Sequence, residues 1–390
     1  MLYITLLDQF HPGIYSSQVI DVCDYLNKKH NAKIRLVAFL SIKELLRSDA
    51  RKNIKQLSPD ALILPAFPGL KNFEWTALLL FFICVFTGER VAICRNVFCA
   101  RMALLVKKTG LLKKVVLDGR SALSAEIEEY DVFPVDYLRK NIRAIESYSV
   151  NNSDYKIAVS QRLIDYWQQQ YRCKTGNEVV IPCTLDRKLF SESNFVSGKS
   201  AESIKKELGI EPDTITLVYA GSTAPWQSFE LLEKILTPLM NKDERVKILF
   251  LSKHNSDNKR FSEKYKNRIF IKWLEHKDVL SYLHCCDYGL LLREQSDTNR
   301  VASPVKFAEY LYAGLPVLIT ENLGDFSKFV HDYNCGHIIK EENQDWSFLK
   351  NVDLETKEKC FLLAKKYFTK EAESIDTQYQ KLLNSIRSEN

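Results

Sequence analysis

The chain has 390 residues, 46% hydrophobic and 27% charged, with only 13 glycines and 11 prolines. That composition excludes a disordered or collagen-like chain and allows two domains with real cores. The formal net charge is +6, unevenly spread: residues 1–190 hold 27 Lys+Arg against 19 Asp+Glu, the remainder 28 against 30. This excess is too mild for a bulk nucleic-acid binder.

Met1 runs straight into a strand-like Leu2–Leu7, which predicts no signal peptide. The ten cysteines never form Cys-x-x-Cys, so they read as reduced thiols in a cytoplasmic protein. Further strands are predicted near Ile34–Phe39, Ala61–Pro65, Val91–Arg95, Val115–Asp118, Ile157–Ser160 and Val179–Pro182, with helices between. Ser17–Lys29 is one such helix, with Val19, Ile20, Cys23 and Leu26 on one face. Asn96 and Ser160 follow strands directly and read as helix caps. The apolar run Trp75–Phe86 is too short to span a bilayer. It is expected to be a helix buried against a sheet, with an interfacial membrane helix as the alternative.

The polar run Ser191–Ser203 reads as a linker. After it the rhythm repeats, with strands near Ile215–Ala220, Val246–Ser252, Arg268–Lys272, Tyr288–Arg293, Pro316–Thr320 and Gly336–Ile339. Continuous apolar strands alternating with helices imply parallel sheets. The fold class is therefore α/β: two Rossmann-like domains, 1–190 and 191–369, facing a central cleft. Ligands are expected beyond the carboxyl ends of the strands.

The segment Gly289–Thr320 concentrates the chemistry. A strand is predicted to end at Arg293, and Ser303-Pro304 to open a helix that Gly314 and Pro316 stop. A helix start offers free N–H groups to a diphosphate. Lys306 sits in the first turn, where a cation gains nothing from the helix dipole but suits a bound anion. Glu309, one turn on, suits ribose hydroxyls. The competing reading is an ordinary capped helix with two solvated charges.

Ser303, Pro304, Lys306, Glu309, Tyr310, Gly314, Pro316 and Val317 together resemble the S-P-x-K-x-x-E-Y-x-x-x-G-x-P-V variant of a known signature. It belongs to the retaining glycosyltransferases of family 4, which have the GT-B fold. Tyr219-Ala220-Gly221-Ser222 resembles the glycine turn that faces the donor phosphates in that family, and Val159-Ser160 with Ile181-Pro182-Cys183 resembles its late first-domain strands. The resemblance implies a nucleotide-sugar site at Gly221, Ser222, Arg293, Ser303, Lys306 and Glu309, and a final helix, within 370–390, returning to the first domain. Three positions depart from the family. Val301 replaces an earlier glutamate, and Ser222 and Gln227 stand where arginine and lysine are usual. Arg293 with Lys306 would restore the charge a leaving diphosphate needs.

In the first half, Gln9–Ser16 links the first strand to the first helix; the resemblance implies a loop that approaches donor phosphate and acceptor, with Gly13 its matching glycine, and the alternative is a plain strand–helix turn. Asp118, Arg120 and Glu126 resemble a D-x-R…E pattern near the transferred sugar and are the candidate catalytic residues. Alternatively, Asp118 caps a helix and pairs with Arg120. Trp273 reads as a packed loop anchor or a nucleobase contact, and His284 as a core or helix-end residue. No D-x-D motif is present, so neither metal nor cofactor is expected.

The resemblance thus implies a metal-independent hexosyltransferase taking a UDP- or GDP-linked sugar to a hydroxyl acceptor. The resemblance further implies a lipid-linked glycan acceptor, bacterial surface polysaccharide or glycoconjugate assembly, and contact with the inner face of the membrane. Lys107-Lys108 and Lys113-Lys114 suit an anionic surface or are solvated helix ends. The rival functions are a catalytically inactive scaffold subunit and a nucleotide-sugar epimerase.

Overall fold

The structure is a computed structural model of the chain and describes all residues except 8–10, 47, 67–69, 131–135, 191–200, 223 and 389–390. The chain divides into two compact units, Met1–Pro182 with Glu373–Asn390, and Cys183–Ala372.

In the first unit seven strands form one parallel sheet: β1 Leu2–Leu7, β2 Arg35–Leu40, β3 Leu62–Pro65, β4 Val91–Arg95, β5 Lys114–Gly119, β6 Tyr155–Ala158 and β7 Glu178–Val180. Their order is β3-β2-β1-β4-β5-β6-β7. The chain therefore reverses direction across the sheet at β1 and β4. Helices follow the strands where polar caps allow. Asn96 accepts from the Phe98 and Cys99 N–H groups, and Ser160 from that of Leu163. The Glu373–Ser388 helix packs on this unit: Asp376 accepts from Tyr25 Oη and pairs with His30 Nε2 at 2.6 Å, and Tyr155 Oη donates to the Ser385 carbonyl at 2.9 Å.

Three expectations are corrected here. The segment after β1 is not a loop through Ser16. Pro12 opens a helical turn, Pro12–Tyr15, that continues through Ser16–Ile20 into the Asp21–His30 helix, while Gln9 and Phe10 lie outside the described residues. Most of the proposed linker also lies outside them, and its last residues already belong to the Ala201–Glu207 helix. The third concerns the Thr76–Thr87 helix, which buries only Thr76, Ala77, Leu80 and Cys84, against the Val97–Lys107 helix and the Leu70–Trp75 turn. An all-apolar helix meeting neighbours on one side can bury only one stripe. Trp75, Leu78, Phe82, Val85 and Phe86 remain exposed, Phe86 at 85%.

The second unit repeats the plan with β8 Ile215–Ala220, β9 Val246–Leu251, β10 Ile269–Lys272, β11 Tyr288–Leu291, β12 Val317–Thr320 and β13 Gly336–Ile339. The order is β10-β9-β8-β11-β12-β13, all parallel, and the reversal falls between β8 and β11. Strand alternation feeds two cores. Leu217 and Tyr219 enter one, Val218 and Ala220 the other. No helix among the described residues is long and apolar enough to cross a membrane.

Candidate functional site

In the second unit the reversal point is built by Tyr219, Tyr310 and two glycines. Tyr219 folds back over Gly221 and donates from Oη to the Ser222 carbonyl at 2.9 Å. A Cβ on Gly221 would lie 2.8 Å from that oxygen. From the other core, the Ala220 N–H donates to Tyr310 Oη at 2.7 Å. Gly289 on β11 admits the Tyr310 ring, since a Cβ there would sit 2.4 Å from its carbons. The signature tyrosine is thus a strut between β8 and β11.

The signature helix spans Val305–Tyr312 with Pro304 at its N-cap. Ser303 does not cap it, contrary to the sequence reading, because its hydroxyl accepts the Cys183 N–H at 3.0 Å. The helix start therefore has no side-chain cap, and its first N–H groups lack intrahelical acceptors. Lys306 Nζ lies 2.5 Å from Glu309 Oε2, and His276 Nε2 lies 3.7 Å from Oε1. The Glu309 side chain is only 3% exposed. Burial pushes its carboxyl up, but Lys306 and His276 outweigh burial and hold it below the usual range. Phe307 anchors the helix by stacking on Phe326 at 4.3 Å and meeting Phe368 edge-on.

Arg293 lies two residues beyond β11, not at its end as the sequence suggested. Thr320 holds its backbone on both sides, accepting its N–H at 3.1 Å and donating to its carbonyl at 2.8 Å. Its guanidinium reaches Gln227 Oε1 at 3.2 Å and Asn299 Oδ1 at 3.4 Å, which brings it to the loop following Gly221 and Ser222. Val301 is fully buried. Trp273, preferred as a packed anchor, is 63% exposed just past β10, with the Lys253 ammonium 5.0 Å over its ring. Its strand ends before the indole, so the ring lies past the sheet's packed faces and meets the Lys253 side chain instead. A small cavity of about 40 Å³ lies beside Ser222, lined by Tyr219, Gln227, Asn255 and Asn258 among others. His284 ends the His276–Leu283 helix, with Nδ1 3.2 Å from the Ala313 carbonyl.

In the first unit, Asp118 near the end of β5 is wholly buried. The β4–β5 register sets it opposite Arg95. Arg120 Nε approaches Oδ1 at 2.8 Å, Arg95 Nη1 lies 3.8 Å from Oδ2, and Tyr3 Oη donates to Oδ2. Two guanidiniums thus share one carboxylate at the carboxyl ends of β4 and β5. Burial, then the Asp118 charge, pushes the Tyr3 phenol well above its ordinary value, keeping it a donor.

Glu126 lies apart from this pair, in the first turn of the Leu123–Tyr130 helix. Its carboxyl is raised by burial and by nearby Glu146, with a Ser121 hydrogen bond opposing. Glu146, fully buried, accepts from the Ser124 N–H at 2.8 Å, Tyr171 Oη at 3.0 Å and the Leu123 N–H at 3.2 Å. It supplies the anion that this helix start needs. Gly13 sits within the Pro12–Tyr15 turn, where its carbonyl accepts from Ser17 Oγ at 2.9 Å.

The structure therefore joins Asp118 to Arg120 and Lys306 to Glu309, and sets Arg293 beside the Gly221 loop, while Ser303 serves Cys183. Sequence reasoning missed His276, Arg95, Tyr3 and Glu146. Arg95 was findable, because it and Asp118 are the last residues of two predicted neighbouring strands. Nothing in the linear pattern marks His276 or Glu146.

No protein-family model and no curated protein matches the chain. Solved structures do. HepE of Anabaena in complex with UDP superposes with a TM-score of 0.70 at 14% identity, covering 100% of both chains. A glycosyltransferase of Rickettsia africae gives 0.71 at 14%, covering 100% of this chain and 99% of that one. WaaG, a glycosyltransferase involved in lipopolysaccharide biosynthesis, gives 0.59 at 13%, covering 99% and 100%. At such identities the likeness establishes the fold, which is that of the GT-B glycosyltransferases.

Proposed function

We propose that the protein is a retaining, metal-independent glycosyltransferase that moves a hexose from a nucleotide sugar to a hydroxyl acceptor. One observation carries the reading: a buried carboxylate, Glu309, held by Lys306 and His276 on an uncapped helix in the unit whose sheet reverses at Gly221. A pre-paired carboxylate at a helix start suits a ribose diol beside a diphosphate. Lys306, Arg293 and the free N–H groups of Val305 and Lys306 face the charge that develops on the leaving nucleotide.

In the transfer, the bond from the anomeric carbon to the donor phosphate oxygen breaks and its electron pair leaves with the nucleotide. The acceptor oxygen bonds that carbon, and its proton passes to the departing phosphate. UDP in the HepE structure favours uridine over guanosine as the base.

The first unit is the acceptor-binding one, with Gly13, Asp118, Arg120 and Glu126 as its site residues. Asp118 acts there by positioning Arg120 and Arg95, since its own carboxylate is sealed by partners. The exposed stripe Trp75–Phe86 belongs on an anionic membrane surface, consistent with a lipid-linked glycan acceptor in bacterial surface polysaccharide assembly. The helix is 12 residues long, too short to span a bilayer, and exposed Arg90 just past its end, with Lys113 bonded to it through the backbone, supplies complementary charge.

A thermal-shift panel of UDP, GDP and their sugar conjugates, run on wild type and Glu309→Ala, tests the donor site. A shift by one base that disappears in the variant is expected. No shift with any nucleotide refutes the reading. Consumption of a lone nucleotide sugar without acceptor would favour the epimerase. For the membrane, co-sedimentation with phosphatidylglycerol vesicles should fall in a Phe82→Ser, Phe86→Ser double variant, and unchanged binding excludes the stripe.

A further inference from the structure

At the amino-terminal edge of the first sheet, the end opposite Asp118, a cavity of about 310 Å³ opens. Lys114 at the start of β5, Asp154 in the turn before β6, Lys156 on β6, and Lys174 and Asn177 before β7 line it. Lys156 is the anomaly. The residue is 5% exposed, and its Nζ has one weak acceptor, the Lys174 carbonyl at 3.4 Å. An ammonium buried without an anion is strongly unfavourable.

The neighbouring carboxylates are committed elsewhere. Asp154 binds Lys107 Nζ at 2.5 and 2.6 Å and accepts the Val115 N–H at 2.8 Å. Glu178, the register partner of Lys156 on β7, accepts the Gly176 N–H at 2.8 Å. Among the described residues, no carboxylate stands within 4.0 Å of the Lys156 ammonium. The Asp136–Asn152 and Gln161–Tyr171 helices end at this edge, and their carboxyl ends favour cations nearby. That field accounts for Lys174 and Lys114 at the rim. It does not account for a buried lysine beneath them.

We propose that this cavity is an anion site for a phosphate-class ligand, with Lys156 at its floor and Lys114 and Lys174 at its rim. It is separate from the proposed donor site, and it does not depend on that reading. The shared chemistry is a phosphate monoester or inorganic phosphate, and the source is either soluble or a lipid headgroup.

The test uses the full chain in potassium phosphate against potassium chloride of equal ionic strength. Phosphate is expected to raise Tm by about 2–4 °C. Lys156→Met should abolish the rise, and Lys174→Ala should reduce it. Methionine matches the lysine stem and removes the buried charge, so the variant is expected to fold at least as stably in chloride. Should it not fold, the exposed Lys174→Ala still decides. No difference between phosphate and chloride, or equal shifts in the folded variants, overturns the proposal. Vesicles of phosphatidylcholine with and without phosphatidic acid separate the sources. Binding that needs both phosphatidic acid and Lys156 assigns a headgroup, and a phosphate shift without vesicle binding assigns a soluble ligand. A UDP shift retained in Lys156→Met keeps this outcome distinct from the fate of the donor site.

Discussion

Replacing Lys306 by methionine isolates the electrostatics of the signature helix. Its Nζ stands 2.5 Å from Glu309 Oε2 while the carboxylate is 3% exposed, and His276 Nε2 lies 3.7 Å from the other carboxylate oxygen. At an effective dielectric of about 20, opposite charges roughly 3 Å apart attract by about 5 kcal/mol. Desolvation of the pair offsets much of this. Removing one partner strands the other, which costs about 3–5 kcal/mol in buried pairs. Part of the Lys306 side chain meets water, so the lower end, about 3 kcal/mol at pH 7, is expected.

The pH dependence fixes the cause. With Lys306 present the folded carboxyl is held below its unfolded value, about 4.3, so the wild type gains stability above that pH and loses it on acidification through the folded value. Without Lys306 the largest interaction opposing burial is gone, so the folded value rises and the variant lacks, as pH climbs, the stability that the wild type gains. Thermal or urea unfolding from pH 4 to 8 should show a deficit that is small at pH 4 and opens toward pH 7. Adding Glu309→Gln should flatten it. A deficit below about 1 kcal/mol, or one independent of pH, would refute the buried-pair argument.

Three further perturbations probe the struts. Tyr310→Phe leaves the buried Ala220 N–H without its 2.7 Å acceptor and should cost about 1–3 kcal/mol by urea denaturation; a neutral result would mean that another acceptor takes over. Gly289→Ala drives a Cβ to 2.4 Å from the Tyr310 ring and should destabilise by about 1–3 kcal/mol, with recovery in the Gly289→Ala, Tyr310→Leu double variant if the collision is the cause. Asp118→Ala removes the carboxylate that Arg95 and Arg120 share and the acceptor of Tyr3, so a loss of about 3–5 kcal/mol is expected in thermal unfolding; retention of wild-type stability would show that the arginines are held by other groups instead.

The strands and their rhythm were legible in the chain because a buried parallel strand is a continuous apolar run, whatever surrounds it. Leu2–Leu7, Val91–Arg95, Ile215–Ala220 and Gly336–Ile339 fall where the sequence puts them. Asn96 and Ser160 act as caps because capping is local, set by a side chain and an N–H a few residues apart. The signature helix and its Lys306–Glu309 spacing were likewise readable, since residues three apart share a helix face.

Tertiary structure decided the rest. Ser303 lost its capping role to a backbone N–H far along the chain, at Cys183, and His276 joined Glu309 from another helix. Whether the Trp75–Phe86 run is covered depended on which neighbours reach it, and composition carries no record of that. Glu146 and Lys156 show the same limit. A charge is placed by sequence, but its burial and its partners are set only when distant segments close around it.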